Sequence, residues 1–223
     1  MSVLPQLNLV VLISGSGSNL QAIIDAAAKG ALAVRIAAVI SNRPDVKGLE
    51  RAHKAGIETC VLNHQDYPDR NAYDQALMET IDRYEPGLVV LAGFMRILTE
   101  AFVRHYAGRM LNIHPSLLPK YTGLHTHRRA IEAGDRLHGA SIHFVTEKLD
   151  GGPLIAQAQV PVEPADDEQR LAARVLEREH QLYPLTIRWF AEQRLAMNEM
   201  GEVILDGQRL ERPVVFSAQD EIR

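Results

Sequence analysis

The chain contains a single cysteine, Cys60, and no Cys-x-x-Cys pair, so neither an internal disulfide nor a thiolate zinc site can be assembled from it. It also lacks an excess of positive charge. With 24 Lys and Arg against 28 Asp and Glu, the net charge is -4, which leaves no summed field to gather nucleic-acid phosphates or anionic lipid. No apolar run approaches the roughly 18 residues of a membrane span. The opening stretch MSVLPQLNLVVLIS has no basic flank of the kind that marks a secretory signal, so a reducing, cytoplasmic setting is expected. His-Glu-x-x-His is absent, as are internal repeats and low-complexity tracts. What remains is a chain of 223 residues with 46% hydrophobic content, enough for one core and read here as a single domain, 1–223.

Short apolar runs rich in Val, Leu and Ile alternate with amphipathic stretches. Leu7–Ser14, Val34–Ile40, Glu58–Leu62 and Leu88–Ala92 read as buried strands. Helical spacing falls at 20–29, 48–55 and 70–84, with Asn19 the expected N-cap of the first helix and Gly30 just past its end. Strands alternating with helices predict an α/β fold with a doubly wound, mostly parallel sheet. The second half changes character. Met110–His114 is a strand and 128–133 a short helix. Gly139–Thr146 alternates like a half-exposed strand, and Leu154–Val162 lies beside it as an antiparallel edge. A long helix follows, capped by Asp166 or Asp167, expected to run to Leu195 with a kink or break before Pro184. Val203–Leu210 reads as a hairpin on an Asp-Gly turn. Residues 1–6 and the charged end past Phe216 are expected to fray.

Gly15-Ser16-Gly17-Ser18-Asn19 joins the first strand to its helix, where free N–H groups and the positive helix end attract an anion. Leu20 stands where a dinucleotide fingerprint needs its third glycine, and the second strand ends in Ser41-Asn42 without a ribose-binding carboxylate. The run also lacks the Gly-Lys-Ser/Thr ending of a nucleoside-triphosphate loop. A single phosphate on a smaller ligand fits better than NAD or ATP, and a bare structural turn is the plain alternative.

Two further segments concentrate reactive groups, Asn112-Ile113-His114-Pro115-Ser116-Leu117-Leu118-Pro119 and Glu147-Lys148-Leu149-Asp150-Gly151-Gly152-Pro153. On a strand Asn112 and His114 share a face, bringing an amide N–H and an imidazole to one point. The amide can donate to a developing oxyanion and the imidazole can move a proton near neutral pH. Asp150, if adjacent, would orient the ring and favour its charged form. Taken singly, each has a plain explanation: a turn cap, a satisfied core histidine, a turn carboxylate. Spacing alone does not bring residue 150 to residue 114. His125, His127, His138 and His143 lack the partners of a known metal motif, so no metal is expected. Cys60 reads as a small core residue, and Leu182, Leu185, Trp189 and Phe190 as core.

The segments LVVLISGSGSNLQAI, VVLAGFMRIL, LNIHPSLLPKY and HFVTEKLDGGP, together with the run Gly-Leu-His-Thr-His at 123–127, resemble the phosphoribosylglycinamide formyltransferases of purine biosynthesis, from about Asn8 to Leu210. The resemblance implies a Rossmann-like formyltransferase fold, with a phosphate-binding half at about 7–107 and a folate and catalytic half at about 108–210. It implies formyl transfer from 10-formyltetrahydrofolate, as cosubstrate, to the amine of glycinamide ribonucleotide, without metal or covalent intermediate. Carried over by position, Gly17, Ser18 and Asn19 hold the phosphate, and Asn112, His114 and Asp150 form the catalytic trio. Glu179 contacts the glycinamide. Arg70, Met95, Arg96, Ile97, Leu98, Asn112, Thr146, Glu147, Lys148 and Leu149 line the folate site, and His143 has a supporting role behind His114. Two positions depart from the family's pattern: Leu176 where Lys or Gln is usual, and Thr122 in place of proline. The partners implied are these two small molecules, with no nucleic acid and no membrane, and the chain is expected as a monomer or homodimer. The rival readings are a formyltetrahydrofolate hydrolase and the initiator-tRNA formyltransferase, both expected to be longer, and a non-catalytic phosphate sensor.

Overall fold

A computed structural model describes residues 6–222. The chain falls into two compact units, Met1–Leu111 and Asn112–Arg223. In the first, β1 (Leu7–Ile13) leads to α1 (Ser18–Ala28), β2 (Val34–Ser41), α2 (Lys47–Lys54), β3 (Thr59–Val61), α3 (Arg70–Asp82), β4 (Leu88–Leu91), α4 (Glu100–His105) and the start of β5 (Met110–His114). Strand order is β3-β2-β1-β4, and the three ladders are all parallel. Leu9–Ile13 and Leu88–Val90 have almost no exposed surface, which is why these strands read as unbroken apolar runs instead of alternating ones. Leu20, Ile23 and Ile24 form the buried face of α1, each contributing roughly 1.5–3 kcal/mol.

In the second unit β5 continues to His114 and is followed by α5 (Thr126–Glu132), β6 (Leu137–Phe144), β7 (Leu154–Pro161), α6 (Glu168–Ala191), β8 (Leu195–Met197), β9 (Val203–Leu205), β10 (Gln208–Arg209) and β11 (Val214–Phe216). The order here is β5-β6-β7-β11, with β6 and β7 antiparallel and β7 and β11 parallel. The sheet is therefore mostly parallel with an antiparallel pair in the C-terminal half, as the sequence pattern predicts. A small second sheet, β10-β9-β8, carries the hairpin. Its turn is Asp206-Gly207, both with positive φ (52° and 76°), the geometry a two-residue Asp-Gly turn favours.

Several expectations need correction. Asn19 does not cap α1: the cap is Gly17, at φ 67° and ψ 31°, and Asn19 lies within the first turn, buried. A left-handed glycine turns the chain sharply enough to begin the helix two residues earlier. β6 is not half-exposed, since every residue after Leu137 is buried. Its alternation of histidine and serine with apolar residues reflects buried, hydrogen-bonded polar groups, Ser141 and His143 among them. α6 does not break at Pro184. Leu182, Tyr183, Leu185, Thr186 and Ile187 are buried on either side of it, and that packing outweighs the roughly 3 kcal/mol a helix-interior proline costs. The helix stops at Ala191, and Leu195 belongs to β8 after Gln193 takes a positive φ. α4, too short to show a period, is absent from the sequence reading. Past Phe216, where fraying is expected, Arg178 donates to the carbonyls of Ser217 and Asp220. The expectation for residues 1–5 lies outside the described residues.

Candidate functional site

In the first unit the β1–α1 turn is built on a close backbone approach. A Cβ on Gly17 would meet the Gly48 Cα at 2.5 Å, and one on Gly48 would meet Ile13 Cδ1 at 2.4 Å. Gly48 N–H donates to the Gly15 carbonyl (3.0 Å), and Arg51 Nε–H donates to the Ser16 carbonyl (2.9 Å). The loop is thus tied to α2 from outside. The first turn of α1 borders a cavity of about 160 Å³ lined by Ser14 to Asn19, Ala92, Gly93 and Met95. A helix N-terminus opening on such a hollow favours an anion.

Also in this unit, Met95 N–H donates to Ser14 Oγ (2.8 Å). Met95 and Ile97 are 65% and 53% exposed, while the Arg96 guanidinium turns back to lie 4.7 Å above the Tyr73 ring. Arg70 is exposed at the first turn of α3, with Asp69 capping the helix through Ala72 N–H (2.9 Å). Cys60 is half-buried, and burial pushes its thiol pKa up, away from a reactive thiolate.

The second unit brings together residues separated by up to 38 positions in sequence. His114, 6% exposed at the end of β5, has its Nδ1 3.5 Å from Asp150 Oδ2. That is longer than a direct hydrogen bond, in a buried setting. The His114 Nε2–H donates to the Tyr121 carbonyl (2.8 Å). Asp150 Oδ2 also accepts from Gly123 N–H (2.8 Å). Both ring nitrogens thus face an oxygen acceptor. Asp150 sits at φ 49°, a left-handed conformation costing roughly 1–2 kcal/mol and one that aspartate tolerates better than most residues.

Behind β5, His143 fixes the amide. Its Nδ1–H donates to the Phe144 carbonyl (2.9 Å), which leaves Nε2 as an acceptor for Asn112 Nδ2–H (3.1 Å). Burial first, then the nearby His114, lowers the His143 pKa, against the raising pull of the Phe144 carbonyl and Asp150; the ring stays neutral and its acceptor stays available. Asn112 is thereby oriented with its second N–H and its oxygen unclaimed by His143. Gly152 lets the loop pass: a Cβ there would lie 1.8 Å from the Phe144 carbonyl oxygen. The preceding residues, Thr146 to Leu149, run from half-buried to exposed. Glu179, 6% exposed on α6, is buried within this unit, and Leu176, one turn earlier, is half-buried.

Of the remaining histidines, His127 and His138 form a pair. His127 Nδ1 and His138 Nε2 are 3.1 Å apart, and among the described residues no group of three or more His, Cys, Asp or Glu is placed to hold a metal. Burial, then the neighbouring His127, pushes His138 down to about 4.

The formyl transferase family matches residues 7–187. The phosphoribosylglycinamide formyltransferase of Escherichia coli K12 is 60% identical over 204 residues, 92% of this chain and 96% of that protein. The chain belongs to the phosphoribosylglycinamide formyltransferase family. Among solved structures, the family member from Coxiella burnetii, crystallised with CHES, is 53% identical with a TM-score of 0.91, covering 95% of this chain and 99% of that one. The glycinamide ribonucleotide transformylase 1 of Symbiobacterium toebii is 44% identical with a TM-score of 0.87, over 92% and 98%.

Several groups that shape this family member's site are absent from the sequence reading: the Tyr121 carbonyl, Gly123 N–H, Ser14 and Tyr73. Two are backbone groups that any residue type supplies. A signal for the third existed, since Ser14 directly precedes the glycine-rich run and closes an apolar strand.

Proposed function

We propose that this chain transfers the formyl group of 10-formyltetrahydrofolate to the primary amine of glycinamide ribonucleotide, and that Asn112, His114 and Asp150 carry the chemistry. The observation that supports it most is the buried approach of His114 to Asp150 at 3.5 Å, with Asn112 beside them oriented by His143. In the first unit Gly17, Ser18 and Asn19 hold the ribonucleotide phosphate, and Arg70 with Met95 to Leu98 contact the folate, partly through backbone groups. In the second, Thr146 to Leu149 contact the folate and Glu179 the incoming amine.

The amine attacks the formyl carbon directly. The oxyanion that forms accepts hydrogen bonds from the Asn112 amide and the His114 imidazolium, neutral and charged donors aimed where charge develops. Collapse breaks the bond from carbon to N10, and the proton released by the attacking nitrogen reaches N10 through water or His114. Holding both reactants in place supplies much of the acceleration. The Tyr121 carbonyl holds the Nε2–H that the oxyanion would use, so the turn at Tyr121–Gly123 yields when substrates bind. No metal enters this scheme.

The test is an absorbance assay for the folate product with both substrates, beside calorimetric titration of each ligand. Turnover with wild type and a 10²- to 10⁴-fold lower kcat in His114→Ala, at near-unchanged ligand affinity, is expected for a proton-transfer group (about these factors). Binding of both ligands without turnover would instead mark a sensor, and full activity in His114→Ala would remove that residue from the chemistry.

A further inference from the structure

The segment joining β4 to α4 is held at both ends by its own backbone. At its start Met95 N–H donates to Ser14 Oγ (2.8 Å). At its end Thr99 N–H donates to Asp74 Oδ2 (2.6 Å). Thr99 Oγ1 in turn accepts from Phe102 N–H (3.4 Å), capping α4. In the middle, Arg96 is stacked on Tyr73 (4.7 Å). The result is a short strap with Met95 and Ile97 exposed and Phe94 buried.

Asp74 is an unusual anchor. It lies mid-helix on the inner face of α3, 1% exposed, next to Tyr73 at 0%, where an apolar residue would ordinarily pack. A carboxylate so placed is costly unless its bonds repay the lost hydration. Oδ1 has no hydrogen-bond partner among the described residues. Burial pushes the carboxyl pKa up, while the Thr99 bonds, Arg96 and Arg70 pull it back. An apolar residue would serve packing better; what the carboxylate supplies is its grip on Thr99.

We propose that Asp74 is a positioning residue for folate recognition: through Thr99 it fixes the backbone of Met95 to Leu98, leaving the exposed groups of the strap set to meet the cosubstrate. This rests on the folate role assigned to the strap above. Backbone groups read a heteroaromatic edge only when held in register, and small displacements are expensive in binding. Asp74 itself touches no ligand, so its loss should weaken one substrate and spare the other.

The experiment compares wild type, Asp74→Ala and Asp74→Asn in steady-state kinetics with both substrates, in amide hydrogen exchange across 95–99, and in thermal melting. Asp74→Ala should raise KM for 10-formyltetrahydrofolate about tenfold, the loss of one charged hydrogen bond. KM for the ribonucleotide and kcat at saturation should stay within about twofold. Exchange at Met95–Thr99 should speed up. Asp74→Asn, whose amide oxygen still accepts from Thr99 N–H, should recover most of the folate KM. An equal rise in both KM values, an unchanged folate KM, or an Asn variant no better than the Ala variant would overturn the assignment. If Asp74→Ala does not fold, Asp74→Leu, which keeps apolar bulk at the site but cannot accept from Thr99 N–H, must show the same KM split or the proposal fails. Wild type without turnover of the folate would defeat the functional reading instead. The exchange measurement would then still decide the clamp, because unchanged rates at 95–99 would overturn it alone.

Discussion

Asn112 has an amide with two N–H groups, and His143 takes one of them. The other is the donor available to an oxyanion, and its direction is set by the first bond. Asn112→Ala should therefore lower kcat by about 10²–10³, the effect of deleting one oxyanion donor. Replacing His143 by Leu keeps the amide but leaves it without its acceptor, so it should lower kcat by about tenfold. Measuring kcat in both variants and in the double variant separates the roles: additive losses would mean that His143 acts independently of Asn112. At this scale the sequence is informative where chemistry and spacing coincide. Asn112 and His114, two apart on a strand, are legible as a pair. Asp150 is not, because its approach to His114 depends on a left-handed turn and on Gly152 passing the Phe144 carbonyl at close range. The carbonyl of Tyr121 and the N–H of Gly123 leave no mark in residue type at all.

The β1–α1 turn shows how an element creates a site before any ligand is present. Gly17 has φ 67°, and a Cβ there would press on the backbone of Gly48 at 2.5 Å. Gly17→Ala thus combines roughly 1–2 kcal/mol of left-handed strain with a contact that neither backbone can relieve cheaply. A fall in melting temperature of roughly 5 °C is expected for a chain this size. A loss of ribonucleotide affinity of at least about tenfold should accompany it, because the N–H groups of the first helical turn move with the strain. Calorimetric titration with the ribonucleotide checks this. Retained affinity would show that the phosphate is held elsewhere. The elements themselves were largely readable: the long periodic helices, the buried parallel strands and the Asp-Gly hairpin all lie within a few residues of their expected bounds. What sequence pattern misjudged were places where tertiary packing overrides local preference. Pro184 stays inside α6 because its neighbours are buried, and β6 is buried throughout because its polar side chains are hydrogen-bonded within the second unit.

For the molecule as a whole, the buried histidines set how stability responds to acid. His127, His138 and His143 all have lowered pKa values, in each case chiefly because burial penalises the charged ring, and His138 is pushed down to about 4. In the unfolded chain an imidazole titrates near 6.5, about where model peptides place it. Above that pH both states hold these rings neutral, and they impose no penalty. As pH falls below about 6.5 the unfolded state takes up protons that the folded state refuses, so stability drops until the folded rings protonate in turn, near 4 for His138. The lowered carboxylates act in a different window. Asp166, held down by Arg174, and Asp135, held down by Lys120 and Tyr121, lose their contribution only below about 4, the range of an unperturbed carboxyl. Between about 6.5 and 4 the imidazoles should therefore dominate. Thermal melts at steps from pH 7.5 to 4.5 should show a progressive fall, and His138→Gln, which cannot charge, should make that fall shallower even if it is less stable at neutral pH. A melting temperature independent of pH across this interval, or an equally steep fall in the variant, would mean that the His127–His138 pair is not what couples this fold to protons.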